Sequence, residues 1–468
     1  QKLQGALPVP GTKMYVLGTA NFGRLEDKVP DLFKGTIYTV TDGLQDADFV
    51  YLGIPQIDGE DRIMLEDFMP EIAKCWQLDK TALCCNPDLR ANEGGRFVVR
   101  PGMIYQVYKL LGGGAEKVLK NLVNSMDKSR FDITVQTLYN EDVAGELDEK
   151  VNYRFCYPYK NSIFTGIMRT EAALGLIYEF HIKGDYDIEV AYLECGATKI
   201  MASSTNKKAK KVAWVHCDLS KKADDFESFV KSTKGYYAKY DKVVCVSNDV
   251  KNSFVKGYGN TPEAITLYNC FDDSEILRKS QLPLPFEKEE NCPVCVAVGS
   301  FEPVKGYDRL LAAHKRLLDE GIFHKLWILG DGRERARIEN FIKENGISNT
   351  ASLFGFCENP YPYIKNADFY ICPSYSEGFS TTVVESLVIG TPVVATLCSG
   401  MKEILGESEY GFIVENSEHG VFDGMRRFLT DEAFRKDYKK RAALRGGFFK
   451  KDNAVLKTER FFEKLLSQ

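Results

Sequence analysis

Short apolar runs alternate with stretches in which apolar residues recur every third or fourth position, and this rhythm continues along most of the chain. The short runs have the pattern of strands buried on both faces, and the spaced stretches that of the helices covering them. A first series of strands is predicted at Asp132–Leu138, Asp187–Tyr192, Lys211–Val215 and Lys242–Val246. A second is predicted at Val294–Val298, Leu326–Leu329, Ser352–Phe354 and Asp368–Cys372, with a further strand starting at Val393. Ala115–Val123 and the tail Ala454–Leu466 have the spacing of amphipathic helices. Such alternation makes parallel sheets wrapped by helices, a doubly wound α/β architecture. Leu277–Asn291, with Pro283, Pro285 and a run of charges, reads as the linker between the two series.

Residues 1–102 read as a small α/β unit of their own, with strands at Met14–Leu17, Phe49–Leu52 and Thr81–Cys84 and helical spacing over Leu65–Cys75. The stretches Asp48-Phe-Val-Tyr-Leu, Asp58-Gly-Glu-Asp-Arg, Cys85-Asn-Pro-Asp88 and Arg100-Pro-Gly102 resemble the middle of class IIA haloacid-dehalogenase-like (HAD-like) hydrolases. That family's nucleophile sits in a DxD motif behind an apolar strand. Asp46-Ala-Asp48 has the spelling but follows the polar Gly43-Leu-Gln, so the fragment is expected to be non-catalytic. Met103–Leu111 reads either as the helix closing this fragment or as the first strand of the next sheet. The strand is favoured, because a sheet domain needs one in front of the glycine loop that follows.

Composition narrows the function. A formal net charge of −5 speaks against a general nucleic-acid binder. No apolar run approaches the ~20 residues of a membrane span, and no signal-peptide pattern opens the sequence. Many of the 13 cysteines lie in apolar strand-like runs, as reduced core thiols do, which predicts a cytoplasmic protein. Cys292-Pro-Val-Cys295 has no second pair nearby, and the histidines are not paired at ligand spacing, so no metal site is expected. Lys207-Lys-Ala-Lys-Lys211 is a basic run that reads first as a solvated face and second as a contact for an anionic membrane surface.

The chemistry concentrates in Cys372–Thr396. A strand runs into a loop, and a hydroxyl cluster, Ser380-Thr381-Thr382, is expected to cap the next helix. Such a unit aims free N–H groups and the positive end of a helix dipole at the carboxyl edge of a sheet, where an anion binds. Glu377 and Glu385 flank that cap; carboxylates repel phosphate but grip the hydroxyls of a sugar or ribose. Together they predict a ligand with phosphates in the middle and polyols at both ends. Lys305, just before a helix, can reach a diphosphate and offset leaving-group charge. Gly330 and Gly332 form a strand-end turn, and Gly112-Gly113-Gly114 opens the first helix of the first sheet domain. His216 ends a strand at the edge where doubly wound sheets hold ligands. Asp185-Tyr-Asp187 begins a strand rather than ending one and reads as a turn.

In this order, Gly112–Glu116, Ala213-Trp-Val-His216, Val298–Gly306, Leu329-Gly-Asp-Gly332, Phe354-Gly-Phe, Asn359-Pro-Tyr, Glu377-x7-Glu385 and Gly390-Thr-Pro392 resemble glycosyltransferase family 4 over residues 103–468. The resemblance implies a GT-B fold: two Rossmann-like domains facing a cleft, here 103–275 for the acceptor and 276–449 for the nucleotide-sugar, followed by a helix over 450–468. It implies a retaining transferase moving a sugar from a nucleotide-sugar, typically a UDP-sugar with GDP the alternative, to a polysaccharide or lipid-linked saccharide, without a cofactor or essential metal. Glu377 would hold the donor sugar and Glu385 the ribose. Backbone around Gly378, Phe379, Ser380 and Thr381, with Lys305, would hold the diphosphate. His216 would lie near the reacting centre, and Gly113 and Gly114 would close over the phosphates. Ser300 stands where many members carry arginine, with Arg333 a candidate replacement. The rival readings are a GT-B sugar-nucleotide epimerase and a catalytically silent sugar-nucleotide-binding protein.

Overall fold

In the computed structural model, the described residues are 102–468, apart from 108, 110–112, 144, 222–224 and 291, together with the backbone of six strands within 1–100. The chain divides into two compact units, 1–100 and 101–468. In the first, Tyr38–Thr41, Thr12–Leu17, Phe49–Leu52 and Thr81–Cys84 form a parallel sheet in that spatial order, and Leu89–Ala91 pairs with Phe97–Val99 antiparallel. The predicted helix at Leu65–Cys75, the Asp46-Ala-Asp48 spelling and the Asn-Pro-Asp element lie outside the described residues.

The second unit holds two parallel sheets. The first runs, edge to edge, Glu263–Thr266, Lys242–Cys245, Lys210–Val215, Ile188–Ala191, Gly102–Gln106, Asp132–Tyr139 and Val151–Tyr157. The favoured reading of Met103 onward therefore holds: Gly102–Gln106 is a strand with partners on both sides, and Met103, Ile104 and Tyr105 are fully buried. It is shorter than predicted and ends at Gln106. The Asp187 carboxylate accepts from the Gly102 N–H at 2.7 Å, so the second DxD spelling is a turn that fixes the start of the neighbouring strand.

The second sheet runs Ala351–Gly355, Lys325–Leu329, Val294–Val298, Phe369–Cys372, Val393–Thr396 and Phe412–Val414. Both sheets reverse strand order beside their first strand, between Gly102–Gln106 and Ile188–Ala191 and between Val294–Val298 and Phe369–Cys372. Such switch points open crevices at the carboxyl ends of the strands, where doubly wound proteins bind ligands.

One expectation needs correction. The stretch read as a linker from Leu277 begins inside a helix, Asp273–Ser280, whose N-terminus is capped by Asp272 accepting from the Glu275 N–H. The alternation of polar and apolar residues there buries only Ile276 and Ser280, which made it look unstructured. The tail helix, Lys451–Leu466, packs on the first sheet domain. Phe462 is buried with its ring 6.3 Å from Tyr105, and Arg130 pairs with Glu459 at 2.6 Å.

Behind the second sheet, His314 and His324 are buried with Nδ1 and Nε2 2.8 Å apart. Burial, and for His314 also its partner's charge, lowers both pKa values, that of His314 to about 3. Below pH 6.5 the unfolded chain takes up protons that the native pair refuses, so stability falls as pH drops from about 6.5 toward 3, by about 1.4 kcal/mol per pH unit for His314, with His324 acting in the same direction. The urea midpoint is expected to fall across this window, and to fall less steeply in a His314→Gln/His324→Gln variant.

Candidate active site

The strand Phe369–Cys372 leads into a loop that places Glu377 in the second sheet's crevice. The Glu377 carboxylate accepts from Ser374 Oγ at 2.6 Å and pairs with Lys305 Nζ at 2.7 Å. Lys305 ends a single 3-10 turn, Pro303–Lys305, and Gly306 turns the chain immediately after it at φ +69°. A side chain at 306 would meet the Pro373 carbonyl oxygen at 2.1 Å, so glycine there lets the lysine loop lie against the glutamate loop. Burial alone would lower the Lys305 pKa, but the adjacent Glu377 carboxylate raises it, and the ammonium stays charged.

Next comes the helix Thr381–Ile389. Ser380 is its N-cap by position, yet its hydroxyl does not cap it, contrary to the sequence expectation. No side chain of the cap residue occupies the first N–H groups, which face the crevice with the positive end of the dipole. The Phe379 side chain turns away, stacking on Tyr268 at 5.2 Å. Thr382 Oγ1 bonds Tyr370 OH at 2.7 Å.

Glu385, one turn into this helix, is 3% exposed. Its carboxylate is met by Lys117 Nζ at 2.6 Å and Tyr361 OH at 3.1 Å, and Lys117 also bonds Tyr361. Burial and the Glu385 charge push the Tyr361 phenol far above its usual range, so it remains a donor. Lys117 belongs to the facing domain, on the helix Gly114–Ser125, so this group bridges the cleft.

Gly113 is the N-cap of that helix, and a Cβ on Gly114 would stand 3.1 Å from Thr381 Oγ1. Two helix N-termini therefore meet across the cleft. The Glu116 carboxylate folds back against Gly113, in the manner of a capping box, and burial raises its pKa. Gly112 lies outside the described residues.

His216 follows the strand Lys210–Val215; its N–H and that of Cys217 both donate to Glu194 Oε1 at 2.8 Å. Its ring lies 4.7 Å from Tyr192, and its carbonyl oxygen would sit 1.9 Å from a Cβ on Gly378. Asp218 accepts from Ser220, Ser253 and, across the cleft, Ser399. Burial would raise its pKa, but these hydroxyls hold it below the ordinary aspartate value.

Ser300 lies exposed in the loop after Val294–Val298. Gly330 and Gly332 pack against the backbone of Gly299 and Phe301, so their small size serves loop against loop packing. Arg333, the candidate replacement for the missing arginine, is 2.7 Å from Glu302 and 69% exposed. The fold thus gathers Lys305 with Glu377, Glu385 with the glycine loop's helix, and His216 with Gly378.

Residues 281–445 match the family model described as glycosyl transferases group 1. The chain is 28% identical over 356 residues to the N-acetylgalactosamine-N,N'-diacetylbacillosaminyl-diphospho-undecaprenol 4-alpha-N-acetylgalactosaminyltransferase of Campylobacter jejuni, covering 74% of this chain and 94% of that one. It is 25% identical over 201 residues to the lipopolysaccharide core biosynthesis glycosyltransferase LpsE of Rhizobium meliloti, covering 43% and 57%. The chain is a glycosyltransferase, with its group 1 match confined to residues 281–445. Its fold resembles that of Anabaena Alr3699/HepE, solved in complex with UDP and glucose, at a TM-score of 0.62 and 16% identity over 78% of this chain and 100% of that one. It equally resembles sucrose-phosphate synthase from Thermosynechococcus elongatus, at 0.64 and 15%, over 79% and 100%. The fold is GT-B, and the enzyme is of the hexosyltransferase class.

Sequence reasoning missed several of this glycosyltransferase's cleft residues: Lys117, Tyr361, Ser374, Glu194 and Glu403. Glu403 reaches from the second domain to the N–H of Asn248 at 2.9 Å and to Tyr268 OH at 2.9 Å. Tyr361 stood in a quoted motif, and Lys117 directly follows one, which was the available signal.

Proposed function

We propose that the enzyme transfers a sugar from a UDP-sugar to a lipid-linked saccharide with retention of configuration. The observation that carries this reading is the Lys305–Glu377 pair set beside the open N-terminus of Thr381–Ile389. A cation and a row of N–H groups suit the diphosphate, and the carboxylate suits the sugar's hydroxyls. Glu385 takes the ribose. Residues 276–449 then form the donor domain and 103–275 the acceptor domain.

In the step proposed, the acceptor oxygen bonds the anomeric carbon on the face from which the bond to the diphosphate oxygen breaks. The acceptor's proton passes to that departing oxygen. Lys305 and the helix N-terminus stabilise the charge that develops there, and His216 lines the reacting face. No cofactor enters the step.

The acceptor class draws support from the name of the Campylobacter relative, which carries a diphospho-undecaprenol. It also draws support from the helix Ser162–Leu174, which buries none of its residues and leaves Ile163 (67%), Ile167 and Leu174 exposed. Among the described residues no helix is long and apolar enough to cross a membrane. The enzyme is proposed to work in the cytoplasm at the inner membrane face, with Lys207 and Lys208 exposed for anionic headgroups.

The test is nucleotide release from a panel of UDP- and GDP-sugars, with a lipid-linked saccharide in vesicles or a water-soluble short-chain saccharide as acceptor. We expect release from one UDP-sugar, dependent on acceptor. An Ile163→Ser/Ile167→Ser variant should lose about tenfold on the vesicle acceptor and little on the soluble one, as loss of two apolar anchors predicts. Donor binding without release under any condition would instead identify a silent binding protein.

A further inference from the structure

Glu385 and its partners carry a consequence for donor binding, which rests on the reading of Glu385 as the ribose carboxylate. Lys117 Nζ and Tyr361 OH both meet the same oxygen of Glu385, at 2.6 and 3.1 Å. A ribose hydroxyl would donate to that carboxylate from the position the ammonium holds. The two partners differ in freedom. Tyr361 is buried and fixed in the second domain's core, whereas the Lys117 side chain is 40% exposed and hangs from the facing domain on a flexible stem. A buried carboxylate cannot be left without a partner, so whatever displaces the ammonium must donate in its place.

We propose that Lys117 is an internal occupant of the ribose subsite: its ammonium caps Glu385, and the nucleotide's ribose hydroxyls bind by replacing it. Lys117 therefore sets donor affinity by competition rather than by touching the donor. Its neighbourhood supports this. Gly114, three residues before it, abuts Thr381, so the helix carrying Lys117 reaches the donor helix directly. The capped state also disfavours any nucleotide unable to offer hydroxyls to Glu385, so the lysine sharpens selection for a ribose.

The test measures binding of UDP, GDP and their 2′-deoxy analogues to the full-length enzyme by calorimetry, for wild type, Lys117→Met, Lys117→Gln and Glu385→Gln. Melting curves confirm that each variant folds. With the competitor removed, Lys117→Met and Lys117→Gln are expected to bind the preferred nucleotide about fivefold to tenfold tighter, with a smaller gain for its 2′-deoxy analogue, as loss of an occupying group predicts. Unchanged or weaker binding in both lysine variants overturns the proposal and makes Lys117 a bystander or a donor ligand. If Glu385→Gln leaves the preference for ribose over 2′-deoxyribose intact, the ribose reading itself fails, whatever the lysine variants do. Should wild type bind none of the four nucleotides, both readings fail.

Discussion

Lys305→Ala is expected to cut the rate of sugar transfer by about 10²–10³, the usual cost of deleting one group that stabilises charge only in the transition state. The change removes a cation 2.7 Å from Glu377 and leaves that carboxylate, mostly buried, with Ser374 Oγ at 2.6 Å and the Cys372 thiol at 3.9 Å as its side-chain hydrogen-bond donors. Two losses therefore coincide: the leaving diphosphate loses its counter-charge, and the carboxylate meant for the donor sugar loses the partner that aims it. Glu377→Ala should cost a similar factor, and the double variant should be scarcely slower than either single one, because the pair acts as a unit. Single-turnover release of nucleotide from pre-bound donor checks this. A double variant slowed by the product of the two single effects would mean that the residues act independently.

The second large effect is expected from one methyl group. In Gly378→Ala the new carbon would lie 1.9 Å from the His216 carbonyl oxygen and 2.8 Å from its carbon. Both are backbone, so no flexible side chain can move aside. Either the two domains part, or the loop carrying Glu377 shifts. The Gly378 carbonyl also accepts from Ser247 Oγ across the cleft at 2.9 Å, and that bond goes as well. Activity should fall by at least about 100-fold, since a 1 Å displacement at a reacting centre costs that much, and the melting temperature should drop. Gly166→Ala is the control: it sits in the exposed helix Ser162–Leu174 with nothing within 4 Å, so it should raise stability by about 0.5–1 kcal/mol. Comparing the two variants' melting temperatures and turnover separates the steric effect from a general intolerance of alanine.

The central strands of both sheets were legible because burial on both faces writes itself as an unbroken apolar run, as in Val294–Val298. The edge strand Val151–Tyr157 was not, because Asn152 and Arg154 face solvent and break the run. Glu377 and Glu385 were found because their role follows from where a strand–loop–helix unit points its ends. Lys117 escaped for the opposite reason: within its own helix it is an ordinary exposed lysine, and its meaning arises only when another domain brings Glu385 to it. Glu116 likewise reads as surface charge until the helix start folds it back over Gly113. The Ser380 cap failed because residue type predicts a capping hydroxyl, whereas here Ser380 Oγ lies near the Cys372 thiol, 4.0 Å away.

The tail helix has a mechanical meaning. Because Lys451–Leu466 leaves the second domain and is fastened to the first by Phe462, Arg130 and the Lys451–Asp272 pair at 2.8 Å, the backbone passes between the domains twice. Two parallel tethers resist twisting far more than one, so the domains can swing like a door on two hinges but cannot swivel about a single strand of chain. Two connections thus favour a swing over a swivel, a motion that would keep Lys117, Gly114 and Gly378 in line with their partners across the cleft.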